Sequence, residues 1–135
     1  MENQGAALRE IMMIDDRQNA IHMAVDTPGK KIYLRQVECL ISKDIERLVR
    51  DNYNEDATLV SAKSTVHGKT ALKTHFQNYL SRVNIKGVKS TDLFVESADA
   101  LLFEATVETD AGFVKVYDAF VLKNNKVSYH FTGVK

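Results

Sequence analysis

The chain has 135 residues, 18 Lys plus Arg against 18 Asp plus Glu, and a formal net charge of zero, the size of one ordinary domain with none of the basic footprint that nucleic acid or anionic lipid selects. Its single cysteine, Cys39, excludes an internal disulfide and a thiolate-rich metal site. Glu2, Arg9, Glu10, Asp15 and Asp16 interrupt the stretch where a signal peptide would be apolar, and no run reaches membrane-spanning length, so the expectation is a soluble cytoplasmic protein with no nucleic-acid or membrane partner.

Residues 6–25 alternate apolar and charged at roughly helical spacing around the break Asp15-Asp16-Arg17-Gln18-Asn19, which reads as a helical extension over residues 1–26 in front of a main domain at 27–135. Thr27-Pro28 is a helix start, an N-cap followed by the one residue whose missing N–H costs nothing in the first turn. The helix is predicted over 28–41, burying Ile32, Val37 and Leu40 with Tyr33 and Gln36. Ser42, with Glu46, is the predicted cap of a second short helix carrying Ile45, Leu48 and Val49 inward. Asn54 to Asp56 reads as a loop before a strand at Ala57 to Ala62. Val66 to Thr70 reads as a turn in which Gly68 takes positive φ and Thr70 caps a third helix over 71–82, whose inner stripe is Leu72, His75, Phe76, Tyr79 and Leu80.

From Val88 the texture turns to alternating Val, Phe, Thr and Tyr, with breaks at Ala98-Asp99, Asp110-Ala111-Gly112 and Asn124-Asn125. These breaks predict a meander of four strands, 88–97, 100–109, 113–122 and 126–134. Helices followed by consecutive strands are the α+β signature: about three helices on one face of a curved, mostly antiparallel sheet. In the third of these strands every second residue from Val114 to Leu122 is apolar except Asp118, which therefore lies in the row that faces the core. A buried carboxylate must be protonated, paired, or set against water or ligand, which makes Asp118 the leading candidate for chemistry.

The order helix, helix, Asp56-Ala57-Thr58-Leu59-Val60, Gly68-Lys69-Thr70-Ala71-Leu72, helix and four strands, closing on residues 117–131, resembles the SnoaL-like branch of the nuclear transport factor 2-like superfamily over residues 28–134. That resemblance implies a cone-shaped barrel around an apolar pocket, a homodimer through the sheet and a small apolar ligand in the cone, in proteins that range from isomerases, dehydratases and cyclases to members with no catalysis. In the ketosteroid isomerases of that superfamily an Asp on the penultimate strand donates a hydrogen bond to the developing oxyanion, and Asp118 falls on its position. The general-base Asp falls on Ser61 and the oxyanion Tyr near Gln36, so two of three catalytic side chains are absent, and a serine hydroxyl at its ordinary pKa does not abstract a carbon-bound proton.

His130 is the candidate partner of Asp118. A three-residue loop Lys123-Asn124-Asn125 sets Leu122 against Lys126 and Asp118 opposite His130; a two-residue Asn-Asn turn sets Phe131 there and sends His130 to the other face. The first register is preferred by analogy with the family's loop. The expected site is then Asp118 and His130 as acid and partner or base, with Tyr33, Gln36, Ser61, Phe76, Phe94, Phe103, Val116, Phe120 and Thr132 as ligand-lining candidates. Tyr53, Tyr79 and Phe131 can line the same cavity, although core packing is the better account of each aromatic taken singly. No two histidines have metal-ligand spacing and no phosphate or dinucleotide loop occurs, so no metal and no cofactor is expected. A binding protein is the first reading, and a cofactor-free enzyme acting on a small apolar carbonyl or hydroxyl compound the alternative.

Overall fold

Thr27 caps the first helix as its sequence demands: its hydroxyl accepts from the Lys30 amide, and α1 runs Pro28–Ser42. Its first turn holds no acid of its own, and Glu96, from a distant strand, takes that place. Glu96 Oε1 accepts from the Thr27 hydroxyl at 2.8 Å and Oε2 from the Gly29 amide at 3.1 Å, in space that a side chain at Gly29 would fill. This computed structural model describes residues 27–135; the helical extension expected over 1–26 lies outside the described residues.

Lys43 leaves α1 in the left-handed region, and Asp44, not Ser42, caps α2 (Ile45–Asn52), its carboxylate accepting from the Arg47 amide. Ser42 is the last residue of α1, which leaves it no role in the second helix. The chain then passes straight into β1 (Tyr53–Val60), so the expected loop at Asn54 to Asp56 is strand, with Glu55 and Asp56 exposed on it. The expected turn at 66–70 holds a short strand, β2 (Thr65–His67), paired antiparallel to β1. Gly68, at φ 88°, is the N-cap of α3 (Lys69–Arg82) without a side-chain bond, so Thr70 lies inside the helix it was expected to cap. Leu72, Phe76 and Leu80 form its buried stripe.

Strands β3 (Ile85–Glu96), β4 (Ala100–Thr109), β5 (Gly112–Lys123) and β6 (Lys126–Val134) form the meander, and β1 joins it parallel to β6, giving one sheet of order β2-β1-β6-β5-β4-β3. The register of β3 on β4 shifts three times, and such bulges bend the strands into the curve that wraps the helices. Three rows of side chains cross the inner face. Glu96, Leu101, Phe120, His130 and Leu59 make one, Phe94, Phe103, Asp118 and Thr132 the next, and Thr91, Ala105, Val116 and Val134 the third. Against them pack Ile32, Tyr33, Val37, Leu48, Val49, Leu72 and Phe76 from the helices, in one hydrophobic core with the sheet.

The β5–β6 hairpin corrects both registers the sequence allowed. Asn124 and Asn125 stand at φ 55° and 62°, the conformation of a two-residue type I′ turn, and Lys123 pairs with Lys126. Leu122 then faces Val127 while Val121 faces Tyr129, so Ser128 is an extra residue bulged out of β6. The bulge reverses the alternation once more. His130 returns to the inner face opposite Phe120, diagonal to Asp118, whose direct partner is Thr132.

Candidate functional site

Asp118 stands in the inner row of β5 between Val116 and Phe120, and its side chain is 13% exposed. Its Oδ1 lies 2.6 Å from His130 Nε2. His130, buried at 3% exposure, places its other nitrogen, Nδ1, 2.8 Å from the phenol oxygen of Tyr53, the first residue of β1. The Tyr53 oxygen accepts from Gln36 Nε2 of α1 at 3.1 Å, and Gln36 Oε1 accepts from Asn52 Nδ2, the last residue of α2, at 3.0 Å. Asn52 donates also to the Ile32 carbonyl at 3.0 Å, and its Oδ1 accepts from the Arg35 guanidinium at 2.9 Å. Six side chains from two helices and three strands thus form one chain ending on the carboxylate, and Asn52, Tyr53, Gln36 and His130 in it are all buried.

The direction of that chain follows from its far end. A guanidinium only donates and a carbonyl only accepts, so Arg35 and the Ile32 oxygen together fix which end of the Asn52 amide is which. With Nδ2 of Asn52 donating, Gln36 must present its oxygen to Asn52 and its nitrogen to Tyr53. The Tyr53 oxygen is then occupied as an acceptor, and its one proton has a single neighbour to go to, Nδ1 of His130. The imidazole proton is left on Nε2, where it points at Asp118. A proton on Nδ1 instead would leave the Tyr53 proton buried with no acceptor, at a cost of about 1–3 kcal/mol. Asp118 therefore accepts, and His130 is its only hydrogen-bond donor among the described residues.

Three phenols feel the charge of Asp118. Burial pushes Tyr33 and Tyr53 far above the usual phenol range and pushes Tyr79 up as well, and the negative charge of Asp118 acts in the same direction on all three. These groups keep their protons at any physiological pH. Tyr33 hydrogen-bonds Thr91 across the interior at 2.8 Å, with its ring 4.3 Å from that of Phe103 and 5.4 Å from that of Phe94. Phe120 meets the edge of His130 at 4.4 Å and Phe76 packs against Tyr53 at 5.8 Å. The sequence candidates Tyr33, Phe76, Phe94, Phe103, Phe120 and His130 thus all belong to the interior around Asp118, with Val116 and Thr132 half-buried on the same face.

Two candidates differ. Ser61 sits in the turn between β1 and β2, its amide and hydroxyl both donating to the Ser64 carbonyl. Phe131 lies on the outer face of the sheet, 41% exposed, because the Ser128 bulge that turns His130 inward turns its neighbour outward. Gln36 is close to the site but acts through Tyr53, being bonded on both sides within the buried chain. Sequence reasoning missed Asn52 and Arg35 and gave Tyr53 no role beyond lining a cavity. The available signal was Asn52-Tyr53 itself, a polar-aromatic pair at the end of an apolar helical stripe. His75 packs edge-on to Phe76, and burial lowers its pKa; His67 pairs with Thr58 at the exposed β1–β2 edge. Among the described residues no three His, Cys, Asp or Glu side chains gather in a way that would hold a metal ion, and no helix is long and apolar enough to cross a membrane.

No protein-family model matches the chain and no curated protein sequence matches it. Solved structures do. A protein of Burkholderia xenovorans described as NTF-2 like and of unknown function superposes with a TM-score of 0.68 at 11% identity, over 80% of this chain and 83% of that one. A protein of Sinorhizobium meliloti whose suggested activity is that of a polyketide cyclase gives 0.66 at 12% identity, over 80% of this chain and all of that one. A protein of Catenulispora acidiphila with a ketosteroid isomerase-like fold, solved in complex with trimethylamine, gives 0.65 at 12% identity, over 76% and 83%. The chain therefore has the nuclear transport factor 2-like fold that its sequence resembles.

The buried relay has a measurable consequence. Tyr53→Phe leaves both Gln36 Nε2 and His130 Nδ1 without their partner and is expected to destabilise the protein by about 2 kcal/mol or more in urea unfolding. Gln36→Leu added to it is expected to cost at least about 0.5 kcal/mol less than the sum of the two single changes, because both remove the same link. Strict additivity would show that the two side chains do not act through each other.

Proposed function

We propose that residues 27–135 form a small-molecule-binding unit whose ligand contacts Asp118. The observation that carries this reading is the carboxylate itself: it stands in the inner row of a sheet, is 13% exposed, and accepts from one donor where a carboxylate can accept several. A charge so far removed from bulk water, with most of its accepting capacity unused, favours a bound partner. Tyr33, Phe76, Phe103 and Phe120 supply apolar surface around it, and the trimethylamine held by the Catenulispora protein is a small organic compound bound by a protein of this fold. A cofactor-free enzyme is the second reading, favoured by the short Asp118–His130 bond, since a carboxylate and an oriented imidazole are acid–base groups of the kind such reactions use.

The test is a thermal-denaturation screen of small apolar alcohols, amines and carbonyl compounds, with each hit recovered and weighed by mass spectrometry. A ligand at a hundredfold excess over its Kd is expected to stabilise by about 2.7 kcal/mol, and to lose that effect in Asp118→Leu. Hits recovered unchanged support binding alone, and hits recovered chemically altered support the enzyme. Equal stabilisation of the Asp118→Leu variant would remove Asp118 from the site.

The outer face of the sheet supports the homodimer that the family resemblance implies. Leu102, Tyr117, Val121, Tyr129 and Phe131 are each 38–45% exposed there, and the ladder sets Leu102 beside Ala119 and Ala119 beside Phe131. Tyr117 lies over Gly133, which has no room for a side chain. A contiguous apolar sheet face of this kind is what a second copy would cover. Sedimentation equilibrium is expected to return twice the monomer mass, and Phe131→Arg with Val121→Glu to return the monomer; a wild-type monomer at high micromolar concentration would refute the dimer.

A further inference from the structure

We infer that the Asp118 site selects ligands that present a hydrogen-bond donor, a hydroxyl or an amine on an apolar body, and disfavours those that present only a carbonyl. This rests on the reading of that site as a small-molecule pocket, and it names the class of molecule the pocket takes.

The argument is one of polarity carried across the molecule. Arg35 and the Ile32 carbonyl set the Asn52 amide; Asn52 sets Gln36, Gln36 sets Tyr53, and Tyr53 leaves the His130 proton on Nε2. The proton between His130 and Asp118 thus comes from the imidazole, and Oδ1 is an acceptor. With Asp118 as a carboxylate, its second oxygen, Oδ2, is an acceptor that meets no donor among the described residues. A carbonyl placed against Oδ2 would set lone pairs against lone pairs in a largely buried interior. A hydroxyl or an ammonium would give it the proton it lacks, in a charge-assisted bond of the stronger kind. The nearby phenols Tyr53 and Tyr33 do not reverse this. Tyr53 spends its proton on His130 and Tyr33 is bonded to Thr91, and both are held far from ionising by burial.

The polarity can be inverted by one substitution. In Asp118→Asn the His130 Nε2 proton still needs an acceptor, which orients the amide with its oxygen toward His130 and its NH2 where Oδ2 was. The variant keeps the link to the relay and exchanges the acceptor facing the ligand for a donor.

Isothermal titration of both proteins with three probes of one shape, 2-naphthol, 2-methoxynaphthalene and 2-naphthaldehyde, tests this. The wild type is expected to bind 2-naphthol at least about tenfold more tightly than either of the others, from the strength of hydrogen bonds to charged groups. Asp118→Asn is expected to prefer the aldehyde over the naphthol. An aldehyde preference in the wild type would overturn the inference and leave the pocket standing. So would an order of affinities that the Asn variant leaves unchanged while its urea midpoint shows it folded. The wild-type comparison decides by itself if the variant does not fold. Absence of binding by all three probes to the wild type would remove the pocket reading, and this inference with it.

Discussion

The orientation of the Asn52 amide is imposed from both sides by atoms that cannot change their role, a guanidinium that only donates and a backbone carbonyl that only accepts. Everything downstream inherits that choice. Gln36, Tyr53 and His130 each have one way to satisfy the neighbour before them, and the last of them delivers a proton to Asp118. Because Asn52 and Tyr53 are fully buried and Gln36 and His130 nearly so, no water stands ready to replace a broken link. Each unmade bond there would cost about 1–3 kcal/mol, so the relay is stable only when complete. It also ties the elements together. α1, the α2–β1 junction, β6 and β5 all contribute a member, and the position of the carboxylate is thereby linked to the packing of two helices on the sheet.

The sheet supplies the geometry that this chemistry needs. A type I′ turn alone would send His130 to the outer face, and the bulge at Ser128 alone would do the same; together they cancel. Asp118 was legible from sequence because a single carboxylate in an apolar period-two row is a strong exception to a simple pattern. Its closeness to His130 was foreseen for the wrong reason. The three-residue loop would have put the two residues directly opposite, whereas they are diagonal, and Asn124-Asn125 with two left-handed residues took the tighter turn. Nothing in Ser128 announces a bulge, since the extra residue is decided by which face its neighbours can bury: Val127 and His130 inward, Tyr129 outward.

Tyr53 shows a different limit of local reading. Asn54, Glu55 and Asp56 are weak strand formers, and they masked a strand that begins at Tyr53 and is held by pairing to β6. Without the strand Tyr53 has no fixed direction, and without Tyr53 the partner of Gln36 cannot be found. The start of α1 at Thr27-Pro28, the β3–β6 meander and the α+β class needed no such distant information and were read correctly. The cap at Asp44 was not, because Asp44 wins over Ser42 only once Lys43 has turned left-handed, a choice made by the packing of α2 on α1. The family pattern points to Asp118 as a donor to an oxyanion, and the relay behind it makes Oδ1 an acceptor from His130.

The proton between these two side chains can be located directly. Neutron diffraction from crystals exchanged into heavy water near neutral pD is expected to show a deuteron on His130 Nε2, none on Nδ1, the Tyr53 deuteron directed at Nδ1, and both oxygens of Asp118 bare. A deuteron on Asp118 itself, or on His130 Nδ1, would contradict the account at its centre.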